Sequence, residues 1–107
     1  LYDQILKLHP EDTEALTYKA DTVLELNEPQ WAVNLCNQAL LLDPENSHAF
    51  YQLACAYTAM GQFDEALTYL TEALTRSDTY REELATDEAL QPLHNYPPFK
   101  QLLSQET

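Results

Sequence analysis

Small and apolar residues recur along this chain at an offset of 34 positions. Ala15 pairs with Ala49, Ala20 with Ala54, Ala32 with Ala66 and Ala39 with Ala73. Leu16 pairs with Phe50, Val23 with Tyr57, Val33 with Leu67 and Leu40 with Leu74. Few of the paired positions are identical, yet the apolar and small ones keep register throughout. A period of 34 is long for one helix and short for a domain, and it suits a repeated helix–turn–helix unit.

Each unit carries helical spacing of its own. In the second, Phe50, Leu53, Ala54 and Tyr57, then Ala66, Leu67, Leu70, Ala73 and Leu74, fall three and four residues apart. The alanines at 20, 32, 39, 54, 66 and 73 let two helix backbones approach where they cross, and leucine there would push them apart. Pro10 and Pro44, again 34 apart, close the helices before them. Pro29 lies near the first turn of a helix, where its missing N–H costs nothing. Gly61, the only glycine, aligns with Asn27 at the reversal between paired helices, which favours a residue with positive φ. Ser47 and Asp64 are candidate N-terminal caps, and Ser77 and Thr79 weaker ones.

These residues give the chain a resemblance to the tetratricopeptide repeat family. In residues 47–78 the aromatic Phe50, then Leu53, the small Ala54, Tyr57, the turn Gly61, "FDEA" at 63–66, Leu70 and Ala73 follow the family pattern. Residues 13–46 keep Leu16, Ala20, Ala32, Ala39 and "LDP", but Lys19 replaces the expected leucine. Residues 1–12 look like the last helix of another repeat, so the chain is expected to begin mid-unit, as a piece of a larger protein would. Residues 79–107 lack the alanine signature and resemble the segment that follows the last repeat in bacterial members. There Leu84, Leu90, Leu93, Phe99, Leu102 and Leu103 would cover an exposed apolar face, with Pro92 and Pro97–Pro98 dividing the segment into short helices. The resemblance implies one all-α domain over 1–107, an α-solenoid of antiparallel helix pairs in a right-handed superhelix with C-terminal capping helices.

The residue types argue against chemistry and against polyanionic partners. Eighteen acids against five bases give a formal charge of −13, which disfavours nucleic acid and anionic membranes and would attract a cationic protein segment. Solubility alone is the alternative reason for that charge. The longest apolar runs, such as "ALLL" at 39–42, are too short to span a membrane. Cys36 and Cys55 do not make a zinc or CxxC spacing; buried free thiols are expected, with one disulfide as the alternative, and this favours a reducing compartment and a cytoplasmic protein. His9, His48 and His94 form no ligand motif, and no nucleophile elbow or phosphate loop is present. Adjacent acids at 11–12, 64–65, 82–83 and 87–88 point about 100° apart on a helix and read as solvated surface. No catalytic role, cofactor or metal is expected.

The family resemblance implies a concave surface lined by the first helix of each pair, where protein segments often bind. Its groove positions fall on Glu14, Thr17, Tyr18, Asp21, Leu24 and Glu25, and on His48, Tyr51, Gln52, Cys55, Thr58 and Ala59. The alternative is that these residues face water or cover the capping helices. Some eukaryotic members clamp a partner's carboxylate with cations; here those positions carry Thr17, Asp21, Tyr51 and Cys55, so such a clamp is not expected. Glu14, Asp21 and Glu25 beside Tyr18 and Tyr51 suit a neutral-to-basic segment. The expected function is a protein–protein interaction module. The alternative is a structural or self-associating module, a homo-oligomer joined through the face of residues 1–8.

Overall fold

The computed structural model describes residues 13–84 and 86–104, so the expected repeat remnant at 1–12 lies outside the described residues. Among the described residues four α-helices come first: α1 (Thr13–Glu25), α2 (Pro29–Leu42), α3 (Ser47–Ala59) and α4 (Phe63–Arg76). Two 3-10 helices, Asp78–Glu83 and Glu88–Leu93, and a short α5 (Pro97–Ser104) follow. Among the described residues there is no strand. Helices α1 and α2 pack as one pair, α3 and α4 as a second, and α2 packs on α3 to join them. The chain is therefore an all-α helical repeat array.

The two reversals within pairs are built alike. Asn27 has φ 64° and Gly61 φ 78°. In the first, Glu28 N–H donates to Val23 O at 2.8 Å and Asn27 N–H to Leu24 O at 3.0 Å. In the second, Gln62 N–H donates to Tyr57 O at 2.9 Å and Gly61 N–H to Thr58 O at 3.0 Å. Both are Schellman closures, which satisfy the last carbonyls of a helix through one left-handed residue. A Cβ on Gly61 would meet nothing within 4 Å, so only its backbone angle resists substitution. Gly61→Val should lower stability by about 1–2 kcal/mol, the cost of left-handed backbone for a residue with a Cβ. Gly61→Asn should cost far less, because asparagine already holds that conformation at position 27. Thermal melts of the two variants check the difference; equal melts would remove the turn's role.

Helix starts correct two of the expected caps. Asn46, not Ser47, caps α3, its side chain accepting from Ala49 N–H at 3.0 Å. Gln62, not Asp64, precedes α4, while Asp64 and Glu65 lie in its first turn and favour the positive end of the helix dipole. Ser77 stands before the first 3-10 helix without a side-chain cap bond, and Thr79 lies inside that helix. Pro29 is the first residue of α2.

Ala20, Ala32, Ala39, Ala54, Ala66 and Ala73 are all completely buried, where the helices come closest. One apolar cluster joins α1, α2 and the back of α3 through Leu16, Val23, Val33, Leu53 and Ala56. A second joins the front of α3 and α4 to the C-terminal segment through Ala54, Leu70, Leu74, Leu84, Leu90, Leu93 and Phe99. Helix α3 serves both. Leu53 is buried, whereas its counterpart Lys19 holds its ammonium 4.8 Å from the Trp31 ring centre. Gln52, also buried, donates to Thr17 O of α1 at 2.7 Å and accepts from Cys36 Sγ of α2 at 3.6 Å, so one polar side chain ties three helices.

The C-terminal segment covers apolar surface as expected, with Leu84, Leu90, Leu93, Phe99 and Leu102 buried; the side chain of Leu103 lies outside the described set. Its local structure differs from the expectation. Pro92 lies inside the second 3-10 helix rather than between helices, and the division falls at Asp87, which caps that helix by accepting from Ala89 N–H at 2.9 Å. Docking is polar as well as apolar: Tyr96 donates to Asp64 and packs on Phe63, and Arg81 donates to Leu102 O at 3.4 Å.

Candidate functional site

The first helices of the two pairs, α1 and α3, lie beside each other, and the C-terminal segment returns across them. Tyr80 of the first 3-10 helix stacks on Tyr51 of α3 with ring centres 4.6 Å apart. The Tyr51 hydroxyl donates to the Asp87 carboxylate. His48 bridges the same elements: Nε2 is 3.4 Å from the Asp21 carboxylate and Nδ1 is 3.3 Å from the Tyr80 hydroxyl. Between these groups is a cleft of about 310 Å³. Helix α1 contributes Asp21, Leu24 and Glu25 to its wall, and α3 contributes His48, Tyr51, Gln52 and Cys55. Tyr80, Glu83, Asp87 and Ala89 close the other side.

The cleft is electronegative. Burial pushes the Tyr51 hydroxyl well above its ordinary range, helped by the bond to Asp87 and by the Cys55, Asp87 and Glu83 charges. Burial likewise raises the Cys55 thiol, with Asp87 and Asp21 adding to the effect. Burial would raise Asp21 too, but hydrogen bonds from His48 and Gln52 together with the His48 charge outweigh it and leave its carboxyl below the ordinary value.

A family model for the tetratricopeptide repeat matches residues 23–94. The chain belongs to the tetratricopeptide repeat family. No curated protein was found to match it. Tetratricopeptide repeats generally mediate protein–protein interactions, and the family is typically a non-enzymatic interaction module. The match runs from α1 through the second 3-10 helix, so it takes in the cleft except for Asp21. Among the described residues of this tetratricopeptide repeat protein, no helix is long and apolar enough to cross a membrane.

The structure brings together seven of the twelve residues expected in the groove: Asp21, Leu24, Glu25, His48, Tyr51, Gln52 and Cys55. Glu14, Thr17 and Tyr18 lie outside the cleft. Thr17 is buried and donates to Glu14 O at 3.0 Å, and Tyr18 donates to the Glu14 carboxylate at 3.1 Å on the open surface. Thr58 is buried with its hydroxyl on Ala54 O, whereas Ala59 is exposed. Tyr51, Gln52 and Cys55 are only 6%, 1% and 6% exposed, so they form a floor and leave the acids as the rim. Sequence reasoning missed Tyr80, Glu83, Asp87 and Ala89, treating their segment as cover alone. The available signal was "YREE" at 80–83, an aromatic, an arginine and two acids, but nothing in it tells which face it meets.

Cys36 and Cys55 of the tetratricopeptide repeat protein are free and buried, as expected. Burial and the Asp21 charge push the Cys36 thiol up to about 12. Both thiols should therefore react with a disulfide reagent at pH 8 at least about a thousandfold more slowly in the folded protein than after unfolding, because the thiolate is the nucleophile. Stopped-flow thiol titration with and without denaturant reads the ratio, and a fast phase in the folded protein would contradict it.

Proposed function

We propose that residues 1–107 act as one protein-interaction module that holds a neutral-to-basic segment of a partner protein against the surface of α1 and α3. Glu14, Thr17, Tyr18, Asp21, Leu24, Glu25, His48, Tyr51, Gln52 and Cys55 make up the binding face, with the buried members shaping its floor. The carrying observation is the separation of charge. Asp21 and Glu25 face the cleft, and among the described residues no lysine or arginine lines it. Among the described residues, three cations are engaged elsewhere, Lys19 over Trp31, Arg76 with Glu45 and Glu72, and Arg81 on Leu102 O, and Lys100 is exposed on α5. Residues 13–46 and 47–78 act as the two repeat units and 79–107 as the closing segment.

Selection from a displayed random-peptide library would supply segments that bind the intact domain. The double variant Glu14→Lys, Asp21→Lys should weaken those with net positive charge by about tenfold or more, since two attractions become repulsions. A melt confirms that the variant remains folded. Unchanged affinity, or selection of acidic segments only, would overturn the reading.

A further inference from the structure

The closing segment does more than cover apolar surface. It forms one wall of the cleft, and that wall carries its own acids. Asp21 is engaged with His48, and Asp87 with Tyr51 and Ala89 N–H. The side-chain carboxylates of Glu25 of α1 and Glu83 of the first 3-10 helix take part in none of the hydrogen bonds or ion pairs found among the described residues, and they enter the lining from different elements. Between them the lining is aromatic and apolar, with the stacked Tyr51 and Tyr80 rings beside Leu24 and Ala89.

We propose that this cleft is a specificity pocket for a single arginine side chain of the bound partner, and that the C-terminal segment supplies half of it through Tyr80 and Glu83. The proposal rests on the segment-binding reading above and adds which side chain is recognised, and by what. A cleft of about 310 Å³ has room for one long side chain and is too small for a helix. The guanidinium is flat, so its face lies against tyrosine while its forked N–H groups reach carboxylates on separate walls. A lysine ammonium is a compact point charge and gains little from the aromatic wall. Burial of the floor lowers the local dielectric and strengthens the attraction. The raised Tyr51, Tyr80 and Cys55 values, each pushed further by Glu83 and Asp21 or Asp87, agree with a negative field concentrated at this point.

The test uses three pentapeptides with blocked ends, Ala-Ala-X-Ala-Ala, where X is arginine, lysine or citrulline, titrated into the full chain and followed by amide NMR shifts. The arginine peptide should give saturable shifts at residues of the cleft, among them Gln52, Cys55 and Glu83. The citrulline peptide, which keeps the shape and loses the charge, should bind at least about tenfold more weakly, and the lysine peptide about three- to tenfold more weakly. Glu83→Gln, a change at an exposed side chain, should weaken arginine about three- to tenfold without moving the melt. Equal response to arginine and lysine would reduce the effect to general charge and overturn the pocket. So would shifts spread outside the cleft, no saturation, or indifference to Glu83→Gln. If library-selected segments still respond to the Glu14→Lys, Asp21→Lys variant in that event, the segment-binding reading survives and only the arginine pocket falls. If they do not respond, both fall.

Discussion

Phe99→Ala is expected to lower the free energy of unfolding by about 3–5 kcal/mol, the range for truncating a fully buried phenylalanine. Phe99 is among the largest fully buried side chains in the molecule and the principal apolar anchor of α5. It shares its cluster with Leu84, Leu90, Leu93 and Leu102, so the cavity would open among side chains drawn from the residue that ends the first 3-10 helix, from the second 3-10 helix and from α5 itself. His94, stacked on it at 5.5 Å, would lose its ring partner. Short 3-10 segments have weak hydrogen-bond geometry of their own and depend on such packing. A loss of that size is a large part of the stability of a domain this long, typically about 5–15 kcal/mol. Urea titration followed by circular dichroism measures it, with Lys100→Ala, at an exposed position of the same helix, as the control. A midpoint within experimental error of the parent would mean that the closing segment is not anchored through Phe99.

Leu53→Ala is expected to cost about 2–5 kcal/mol, and to change how the molecule unfolds as well as when. Leu53 is buried in the cluster that joins the first helix pair to α3. Stacked repeats owe much of their stability to the interface between neighbours, so weakening it uncouples them. Trp31, the only tryptophan, lies in α2 and reports on the first pair. In the parent its fluorescence and the helical signal should change together. In Leu53→Ala the fluorescence transition should move to lower urea ahead of the remaining helix. Coincident transitions in the variant would show that the two pairs are joined by other contacts.

The helix pairs were legible because one alternation of small and large residues occurs twice in register. Ala20 and Ala54, or Ala32 and Ala66, name a close helix crossing whatever surrounds them, and each is completely buried. Asn27 and Gly61 were legible because few residues tolerate positive φ. The closing segment had no second copy to check against. Its 3-10 turns are six residues each, too short for a periodic pattern to show, and Pro92 read as a break when it lies within one of them. Adjacent Asn46 and Ser47 are both strong cap formers, so residue type could not choose between them. The face of α1 and α3 was placed by repeat register, but Gln52 and Thr17 were expected there as groove residues open to a partner. Their burial follows from a bond between residues 35 apart, which no local pattern contains.

That Gln52 bond also bears on how the array can deform. Apolar contact has no preferred direction along a helix, so helices held by leucine and alanine alone can slide. The 2.7 Å bond from Gln52 to Thr17 O fixes α3 against α1 along their length. In mechanical terms the joint is a pin: sliding would break the bond, while rocking about it would not. The face proposed above for partner binding would then change its curvature while keeping the spacing of α1 and α3, as a hinged ruler does.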